Sequence, residues 1–557
     1  MATDASFDYV IVGAGTAGCV LAGRLAEDPA TRICLIEAGG SDRHPVVSTP
    51  ALVAAAIATR RLNWRFETVP QARLKDRRIP QPRGKVVGGS GSINGMVYMR
   101  GHPRDYDDWA AAGATGWNYT SVLPYFTRSE NNEDLPASVY HGRGGPINVR
   151  RPARPNRLNG AFIAATQSQG FPGTTDFAGA DSEGVGLRQG TIRAGKRHST
   201  ARAFLRPALR RGNVSLYTEA LALRVIVESG RAVGVVYERA GQQHEVRARR
   251  EVILSAGTLQ SPQLLLLSGI GPAAELQAAG IVPVHDLKGV GRNLHDHLAC
   301  PVLMHSPDPT SYGISARALP RGLWNILEYL VCRSGPFSSN VFESVAFLKT
   351  APGLDRPDVQ FVFQPAARPR PSFPLPIGHG YAISPVNLYP KSRGSITLSG
   401  PDPHAPPLID PALLSVDADI QPLIRAIKLA RRILATPYFA RYRATELAPG
   451  PAVQSDSDIA DFIRSTAYTV HHQVGTCRMG TGADAVVDPH LRLRGLQGLR
   501  VIDASVIPSI VGGNTNAVAV MIAEKAADLI RQRPILAPAE LDRTPTQRAS
   551  VGETIWQ

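Results

Sequence analysis

The chain has 557 residues, with 61 Lys and Arg against 46 Asp and Glu, so its formal net charge is +15 at pH 7. A hydrophobic content of 43% excludes a disordered tail, and the length excludes a small domain held together by disulfides. The length predicts two large domains, and no apolar stretch reaches the roughly 18 residues that a membrane span needs.

The basic charge and the cysteines limit the partners and the compartment. Much of the charge is Arg, with a concentration at residues 193–211 that lacks interleaved aromatics, so we expect no nucleic-acid partner. The N-terminus has Asp4 and Asp8 and no basic residue, unlike a signal peptide. An odd number of cysteines without CxxC spacing predicts free, packed thiols and a cytoplasmic location. The cysteines are Cys19, Cys34, Cys300, Cys332 and Cys477.

The first predicted elements are a strand, a tight turn and a helix. Residues 7–12 form a β-branched and aromatic run, a glycine-rich turn follows, and a helical stretch continues to Pro29. A second strand over residues 32–36 ends at Glu37. This order predicts an α/β domain at the start of the chain.

Strand signals continue through the first two-thirds of the chain, including a hairpin across residues 228–231. From residue 307 to 400 the sequence changes to Pro-rich loops with alternating strands, which is typical of an antiparallel sheet in a second domain. The tail 532–557 has no periodicity, so we expect it to lie over the surface or to be disordered. Further predicted strands are 214–217, 225–227, 233–237, 252–255, 358–363 and 395–398, and predicted helices are 420–435, 459–465 and 517–531.

The glycine-rich turn has the G-x-G-x-x-G spacing of a dinucleotide-binding motif. Gly13 permits the tight turn, Gly15 lets a pyrophosphate approach the helix N-terminus, and Gly18 allows the helix to pack on the strand. Glu37, at the end of the second strand, is expected to accept hydrogen bonds from an adenosine ribose. This context predicts a dinucleotide but does not separate FAD from NAD.

Two longer stretches separate them. Residues 84–95 and 257–271 are rich in Gly, Ser and other small residues, so that a flat ligand can lie against bare backbone in the first of them. Together they resemble the two signature patterns of the glucose-methanol-choline (GMC) family of FAD-dependent oxidoreductases. Further agreeing pieces are 140–142, 144–146, 290–297, 390–394, His472 followed by 475–480, and 503–505 through 514–516.

The resemblance implies an α/β fold: a Rossmann-like FAD-binding domain and a second α+β substrate domain built on an antiparallel sheet. The FAD-binding domain is expected at 1–160, 193–305 and 468–535, the substrate domain at 161–192 and 306–467, and a C-terminal tail at 536–557. The cofactor-binding residues it implies are Gly13, Ala14, Gly15, Thr16, Ala17, Gly18, Glu37, Ala38, Val87, Gly88, Gly89, Ser92, Asn94, Gly95, Met96, Val97, Ala222, Asp503, Ala504, Thr515 and Asn516.

The resemblance also implies catalytic residues. The family's general base maps onto His472 and its second catalytic position onto Asn514, with hydride transfer from a primary alcohol to flavin N5. An imidazole suits this proton transfer at neutral pH, and an amide can hydrogen-bond the developing alkoxide. Some relatives link FAD covalently through a His where this chain has Ile93, so we expect non-covalent FAD. His471 is expected either to line the pocket or simply to pack.

Other interpretations stay open. A GMC-fold hydroxynitrile lyase or photodecarboxylase would use the same site without net alcohol oxidation, and a basic binding protein that retains FAD is a further alternative. His295, Asp296 and His297 fit no zinc pattern, so we expect no metal, and we expect these residues to make structural hydrogen bonds. The sequence does not identify the alcohol, the electron acceptor, which is oxygen or another acceptor, or the oligomeric state. Aromatics expected near the pocket, which favour apolar or aryl alcohols, are Tyr312, Trp324, Phe337, Phe342 and Phe363.

Overall fold

Two large sheets contribute residues to the wall of one cavity in the computed structural model, which describes residues 7–366 and 378–541. The first six residues of the predicted FAD-binding domain, residues 367–377 of the predicted substrate domain and residues 542–557 of the predicted tail lie outside the described residues. The predicted α/β fold, with a second, antiparallel sheet, is confirmed.

The first sheet has a parallel centre and an antiparallel extension. Phe7–Val12 is buried along its whole length, as expected for a strand covered on both faces, and Val10 lies between Cys34 and Val252 of its neighbours. The predicted hairpin is present as the antiparallel strands Ala220–Glu228 and Arg231–Arg239. In order across the sheet the strands are Val214–Tyr217, Ile33–Ile36, Phe7–Val12, Gln242–Leu254, Arg231–Arg239 and Ala220–Glu228, with Leu499–Val501 pairing in parallel with Gln242–Leu254.

The second sheet is antiparallel and has eight strands. In order they are Thr445–Ala448, Val302–His305, Gly380–Asn387, Val359–Gln364, Ser344–Leu348 and Gly184–Leu187, with Leu298–Ala299 between Gly380–Asn387 and Tyr468–Thr469. Three of these short strands, at 298–299, 302–305 and 468–469, come from segments predicted for the FAD-binding domain. The division of the chain into two domains stays a prediction.

Helices cover the outer faces of both sheets. Asn516–Arg531 packs on Thr16–Leu25, and the buried carboxylate of Glu524 pairs with Arg24 at 2.8 Å and with Arg128 at 2.7 Å. Charge pairing thus accompanies the burial of this helix. The other α-helices of six or more residues are Val53–Ala58, Pro103–Ala111, Tyr119–Ser129, Leu158–Gln167, Gln260–Leu267, Ala273–Ala278, Leu319–Cys332, Ile420–Leu434 and Asp456–Thr466.

One helix differs from the sequence-based expectation, whereas the described part of the tail agrees with it. Leu319–Cys332 is a helix inside the stretch interpreted as Pro-rich loops with strands, because Pro320 occupies the first turn, where proline does not interrupt hydrogen bonding. Cys332, expected to be packed, is exposed at the end of this helix, whereas the other four thiols are buried. The described part of the tail lies over the surface, where Leu536 N donates to Tyr125 Oη and Ala539 N to Thr120 O.

Candidate active site

A single cavity of about 1630 Å³ joins the glycine-rich turn to the predicted catalytic pair. His472 and Asn514 line it, and Ile93 does so as well. It therefore brings together residues that are far apart in the chain. The predicted cofactor-binding residues that line it are Gly13, Gly15, Thr16, Ala17, Glu37, Ala38, Gly89, Asn94, Gly95, Met96, Val97, Ala222, Asp503, Ala504, Thr515 and Asn516.

The wall of the cavity near the first turn is bare backbone. Strand Phe7–Val12 ends at Gly13, whose φ is +98°, and the helix begins at Thr16 with Gly15 as its N-cap. A Cβ on Gly89 would lie 2.8 Å from Cα of Gly15, so the two glycine-rich stretches touch through their backbones. This close approach leaves backbone N–H groups and space at the helix N-terminus, where a pyrophosphate is stabilised.

Five predicted cofactor-binding residues lie behind this wall and shape it. A Cβ on Gly18 would meet the carbonyl oxygen of Gly13 at 1.9 Å, which agrees with its expected role in helix packing. Gly88 has a φ of +91°, and the Ser92 hydroxyl donates to the carbonyl of Val87 at 2.8 Å. The fifth, Ala14, is fully buried. These residues contact the lining backbone and do not line the cavity.

Glu37 lies at the same end of the cavity. Its carboxylate accepts hydrogen bonds from Ala14 N at 2.9 Å and Gly39 N at 2.8 Å, and burial raises its pKa to about 7. Each oxygen keeps a second lone pair that can receive a ribose hydroxyl. Bare backbone, an acidic residue and a long cavity fit the predicted FAD, whose adenosine would be held by Glu37 and whose pyrophosphate would lie at Gly15.

The predicted catalytic pair is in direct contact at the other end. Nε2 of His472 lies 2.9 Å from Nδ2 of Asn514. Among the described residues, none donates a hydrogen bond to the buried Oδ1 of Asn514. A buried amide oxygen without a donor is costly, which favours a polar ligand at this point of the cavity.

A second histidine determines the protonation of His472. Nε2 of His297 lies 3.0 Å from the carbonyl oxygen of Leu388, which can only accept, so Nε2 of His297 carries the proton. Nδ1 of His297 is therefore an acceptor, and it lies 3.0 Å from Nδ1 of His472. His472 must carry its proton on Nδ1, which leaves the lone pair on Nε2, beside Asn514.

Burial, together with the positive charge of Arg83, keeps this pair neutral. The pKa of His472 is well below its usual value, chiefly because of desolvation, with further lowering by His297, His471 and Arg83. Burial lowers the pKa of His297 to about 4. A neutral His472 at physiological pH has an unprotonated Nε2, whose lone pair accepts from Nδ2 of Asn514 and is able to accept a proton from a hydroxyl that replaces this amide.

The backbone around this pair is fixed by Asp296 and Arg83. Oδ1 of Asp296 accepts from the N–H groups of both His297 and His472, at 2.8 and 2.7 Å. Nη2 of Arg83 donates to the carbonyl of His471 at 2.7 Å, and the same guanidinium contacts the side chain of Gln473. His471 itself lines the cavity, with a φ of +65°.

Sequence reasoning missed the contact between His297 and His472. The motif 290–297 was recognised, but its histidines were expected only to make structural hydrogen bonds. His295 does so, because it contacts Asn293 O and accepts from Ile510 N. The signal for His297 is its place in a motif that accompanies His472 in the family pattern, although spacing alone does not reveal a contact between residues 175 positions apart.

The predicted pocket aromatics need correction. Only Phe342 of the five lines the cavity. Trp324 is 64% exposed, and Phe363 is buried in the core, where it stacks on Phe162 with centroids 4.8 Å apart. Tyr312 donates to Glu343 at 3.0 Å, and the ring of Phe337 lies beside Tyr329. The composition of a segment does not show which of its side chains line the cavity. The four aromatics that lie elsewhere therefore do not support an aryl alcohol as the substrate.

Two further findings concern the described residues alone. No group of three or more His, Cys, Asp or Glu side chains there is arranged to hold a metal ion. No helix there is both long and apolar enough to cross a bilayer.

Known proteins resemble the chain over almost its whole length. An alcohol dehydrogenase [acceptor] of Pseudomonas putida is 45% identical over 526 residues, which cover 94% of this chain and 95% of that protein. The mitochondrial choline dehydrogenase of Homo sapiens is 43% identical, covering 95% of this chain and 90% of that protein. Among solved structures, pyridoxine 4-oxidase from Mesorbium loti has a TM-score of 0.85 at 33% identity and covers 95% of this chain and 100% of that chain.

The family match covers both halves of the cavity. GMC oxidoreductase sequences match residues 7–299, which include Gly13, Gly89 and His297, and residues 390–523, which include His472 and Asn514. The predicted family and enzyme class are thereby confirmed. The chain belongs to the GMC oxidoreductase family of FAD-dependent enzymes that act on CH–OH donors.

Proposed function

We propose that the protein oxidises a primary alcohol to an aldehyde, with His472 as the general base. The observation that carries this proposal is the lone pair on Nε2 of His472 beside the amide of Asn514 in the cavity. FAD, when bound, supplies the hydride acceptor. The names of the relatives, an alcohol dehydrogenase and choline dehydrogenases, support an alcohol as the substrate.

His472 removes the hydroxyl proton. An alcohol hydroxyl that takes the place of the Asn514 amide at Nε2 donates to the lone pair of Nε2. As the proton moves to Nε2, the imidazole becomes cationic and its Nδ1–H bond to His297 strengthens. His297 thus positions the base and does not itself touch the alcohol.

Asn514 stabilises the oxygen that loses the proton. Its Nδ2 group donates a hydrogen bond to the alcohol oxygen, on which negative charge develops, and a neutral amide does not compete for the proton. Its buried Oδ1, to which none of the described residues donates, offers an acceptor to a second polar group of the substrate.

The cavity lining supports the other assignments. We propose that the predicted cofactor-binding residues hold FAD, with Glu37 at the ribose and the backbone around Gly15 and Gly89 at the pyrophosphate. The cofactor is held without a covalent bond through residue 93, because Ile93 lines the cavity and has no nucleophilic atom. The FAD-binding segments 1–160, 193–305 and 468–535 and the substrate segments 161–192 and 306–467 belong to the same proposal.

Electron acceptor and location complete the proposal. Oxygen or another acceptor reoxidises the cofactor. A cytoplasmic location agrees with five free cysteines, four of them buried.

Anaerobic mixing of the purified holoenzyme with a panel of primary alcohols tests the reaction. A substrate should bleach the flavin absorbance and yield one equivalent of aldehyde. Turnover with both oxygen and an artificial dye then identifies the class of acceptor. Cleavage of a cyanohydrin without bleaching would instead indicate a hydroxynitrile lyase, and light-dependent release of carbon dioxide a photodecarboxylase; either result, with no alcohol oxidised, would contradict the proposal.

A further inference from the structure

The guanidinium of Arg188 is a buried cation on the wall of the cavity. Arg188 lines the cavity and is only 3% exposed. Its Nε donates to the carbonyl oxygen of Phe342, and the guanidinium lies over the ring of Phe342, 5.4 Å from the centroid. Among the described residues, none accepts a hydrogen bond from its Nη2. A buried charged donor without an acceptor is costly, so this guanidinium favours a polar ligand.

The chain does not supply a carboxylate partner to this guanidinium. Glu343 is the one carboxylate of the described residues that acts on the charge of Arg188, and burial lowers the pKa of Arg188 to about 9 in spite of it. The carboxylate of Glu343 already accepts hydrogen bonds from four other groups, which are Tyr312 Oη, Ser339 Oγ, Asn156 N and Asn159 Nδ2. Residues 367–377, outside the described part of the chain, contain no Asp or Glu.

The other carboxylates of the described cavity wall lie elsewhere. Glu37 lies at the end assigned to the ribose, and Glu67 is exposed. Asp503 accepts from Gly257 N at 2.8 Å and from Ser261 Oγ at 2.5 Å. Against these three carboxylates the described wall has five arginines, which are Arg65, Arg77, Arg78, Arg83 and Arg188. This balance favours an anionic ligand over a cationic one.

The buried guanidinium lies on the catalytic side of the cavity. The ring of Phe342, next to the guanidinium, is 3.4 Å from the place where a Cβ on Gly95 would lie. Four residues further on, Cβ of Met99 is 3.5 Å from the place where a Cβ on Gly513 would lie, and Asn514 follows Gly513. Four residues of chain span at most about 14 Å, so one elongated substrate can reach both the guanidinium and the catalytic pair.

The free part of the guanidinium fits a carboxylate. Because Nε is used by the carbonyl of Phe342, the two Nη groups remain, and they present parallel N–H groups that match the two oxygens of a carboxylate. Val97 and Phe342 line the cavity next to the segment that joins this site to the catalytic pair. The part of the substrate that lies between the two sites should therefore be apolar.

We propose that Arg188 binds the carboxylate of a substrate whose hydroxyl is oxidised at His472, so that the enzyme acts on hydroxy carboxylates with an apolar chain between the two groups. The proposal rests on the proposed function for the reacting group. At His472 the hydroxyl loses its proton and its carbon gives up a hydride to the cofactor, which yields the aldehyde. The carboxylate at Arg188 is unchanged by the reaction.

Anaerobic flavin reduction tests the recognition of the carboxylate. The holoenzyme is mixed with ω-hydroxy carboxylates of increasing chain length and with their uncharged methyl esters. At the best chain length, the acid should have a second-order rate constant at least about tenfold above that of its ester. Arg188→Met should raise the apparent Kd of the acid about 10–100-fold, keep its limiting rate, and leave the ester nearly unchanged.

Two further variants and the flavin content serve as controls. Arg78→Met removes the same charge from an exposed arginine that also lines the cavity, so the preference for the acid should remain. Arg188→Lys keeps the charge without the paired N–H groups and should keep only part of the preference. All three variants should contain as much FAD as the wild type. Loss of FAD from Arg188→Met would show that this arginine holds the cofactor, and the proposal would be overturned.

Calorimetry with the same carboxylates lacking the hydroxyl tests the site apart from the reaction. The wild-type holoenzyme should bind them, and Arg188→Met should bind them about 10–100-fold more weakly. Binding of this kind with no alcohol oxidised would support the site at Arg188 and contradict the proposed function. Oxidation of alcohols with equal rate constants for acid and ester, or no binding of the carboxylates to the wild type, would overturn the site at Arg188 and leave the proposed function standing.

Discussion

The two ends of the cavity differ in the atoms that form their walls. At one end the wall is backbone, with Gly15 and Gly89 in contact and almost no side chain between them. At the other end the wall consists of side chains, with His472 held between His297 and Asn514. At the first end, binding of the cofactor requires that no side chain fills the space. At the second end, proton transfer requires a fixed order of hydrogen-bond donors and acceptors. Substitutions at the two ends should therefore fail in different ways.

The largest effect is expected at the backbone end. Gly15→Glu should give folded protein without FAD, because the Cβ itself has room, 3.7 Å from Ser255 O, while the rest of the side chain enters the cavity with a charge that repels the pyrophosphate. Flavin absorbance after purification measures the occupancy. Gly482→Glu, where a Cβ meets nothing within 4 Å, should keep full occupancy. Normal occupancy in the Gly15 variant would disprove the placement of the pyrophosphate.

Substitutions at the histidine end should keep FAD and lose rate. His472→Ala should slow anaerobic flavin reduction by about 10²–10⁴-fold, the usual contribution of a positioned base. Asn514→Ala should lose less, about 10²–10³-fold, because it stabilises charge without moving a proton. Stopped-flow absorbance with one accepted alcohol measures both. If Asn514→Ala were slower than His472→Ala, His472 would not be the general base.

His471 offers the matched control for His472. It lines the same cavity, but it is not in the hydrogen-bond chain from Leu388 to Asn514. His471→Ala should therefore reduce the rate less than His472→Ala. A larger loss in the His471 variant would show that the adjacent histidine is the base.

A smaller effect is expected at His297, together with a change in pH dependence. The low pKa of His472 keeps it deprotonated at neutral pH, so wild-type flavin reduction should be constant there and fall only well below pH 6.5. His297→Ala removes the acceptor of the Nδ1–H of His472, which stabilises the imidazolium, so the pKa of His472 should fall further. The fall in rate should therefore move to lower pH, and the rate itself should drop about 10–100-fold. The pH profile of single-turnover reduction measures this. An unchanged profile with a lower rate would indicate only a packing role for His297.

The sequence predicts the backbone end of the cavity better than it predicts the histidine end. The strand-turn-helix around Gly13 follows from local rules, since glycine positions and β-branched runs act over a few residues. His472 and Asn514 were assigned by resemblance, and the structure brings them into contact. The contact of His297 with His472 was not predicted, because the two residues are 175 positions apart and meet only through tertiary packing.

The outer surface was the least predictable. Leu319–Cys332 has a helical apolar period, but Pro320 and its place among Pro-rich loops favoured another interpretation, and Trp324 was expected at the pocket. The hydrophobicity of a side chain indicates that its removal from water lowers the free energy. It does not indicate whether the folded protein, a ligand or another surface covers that residue.

Chemical rescue tests the role of Nε2 of His472 most directly. His472→Ala leaves a space on the wall of the cavity, so added imidazole can take the place of the missing side chain. Anaerobic flavin reduction in this variant should rise with imidazole concentration and follow the free-base fraction, while Asn514→Ala, which keeps its own imidazole, should not respond. No rescue in any buffer, or equal rescue of both variants, would contradict the assignment of His472 as the base.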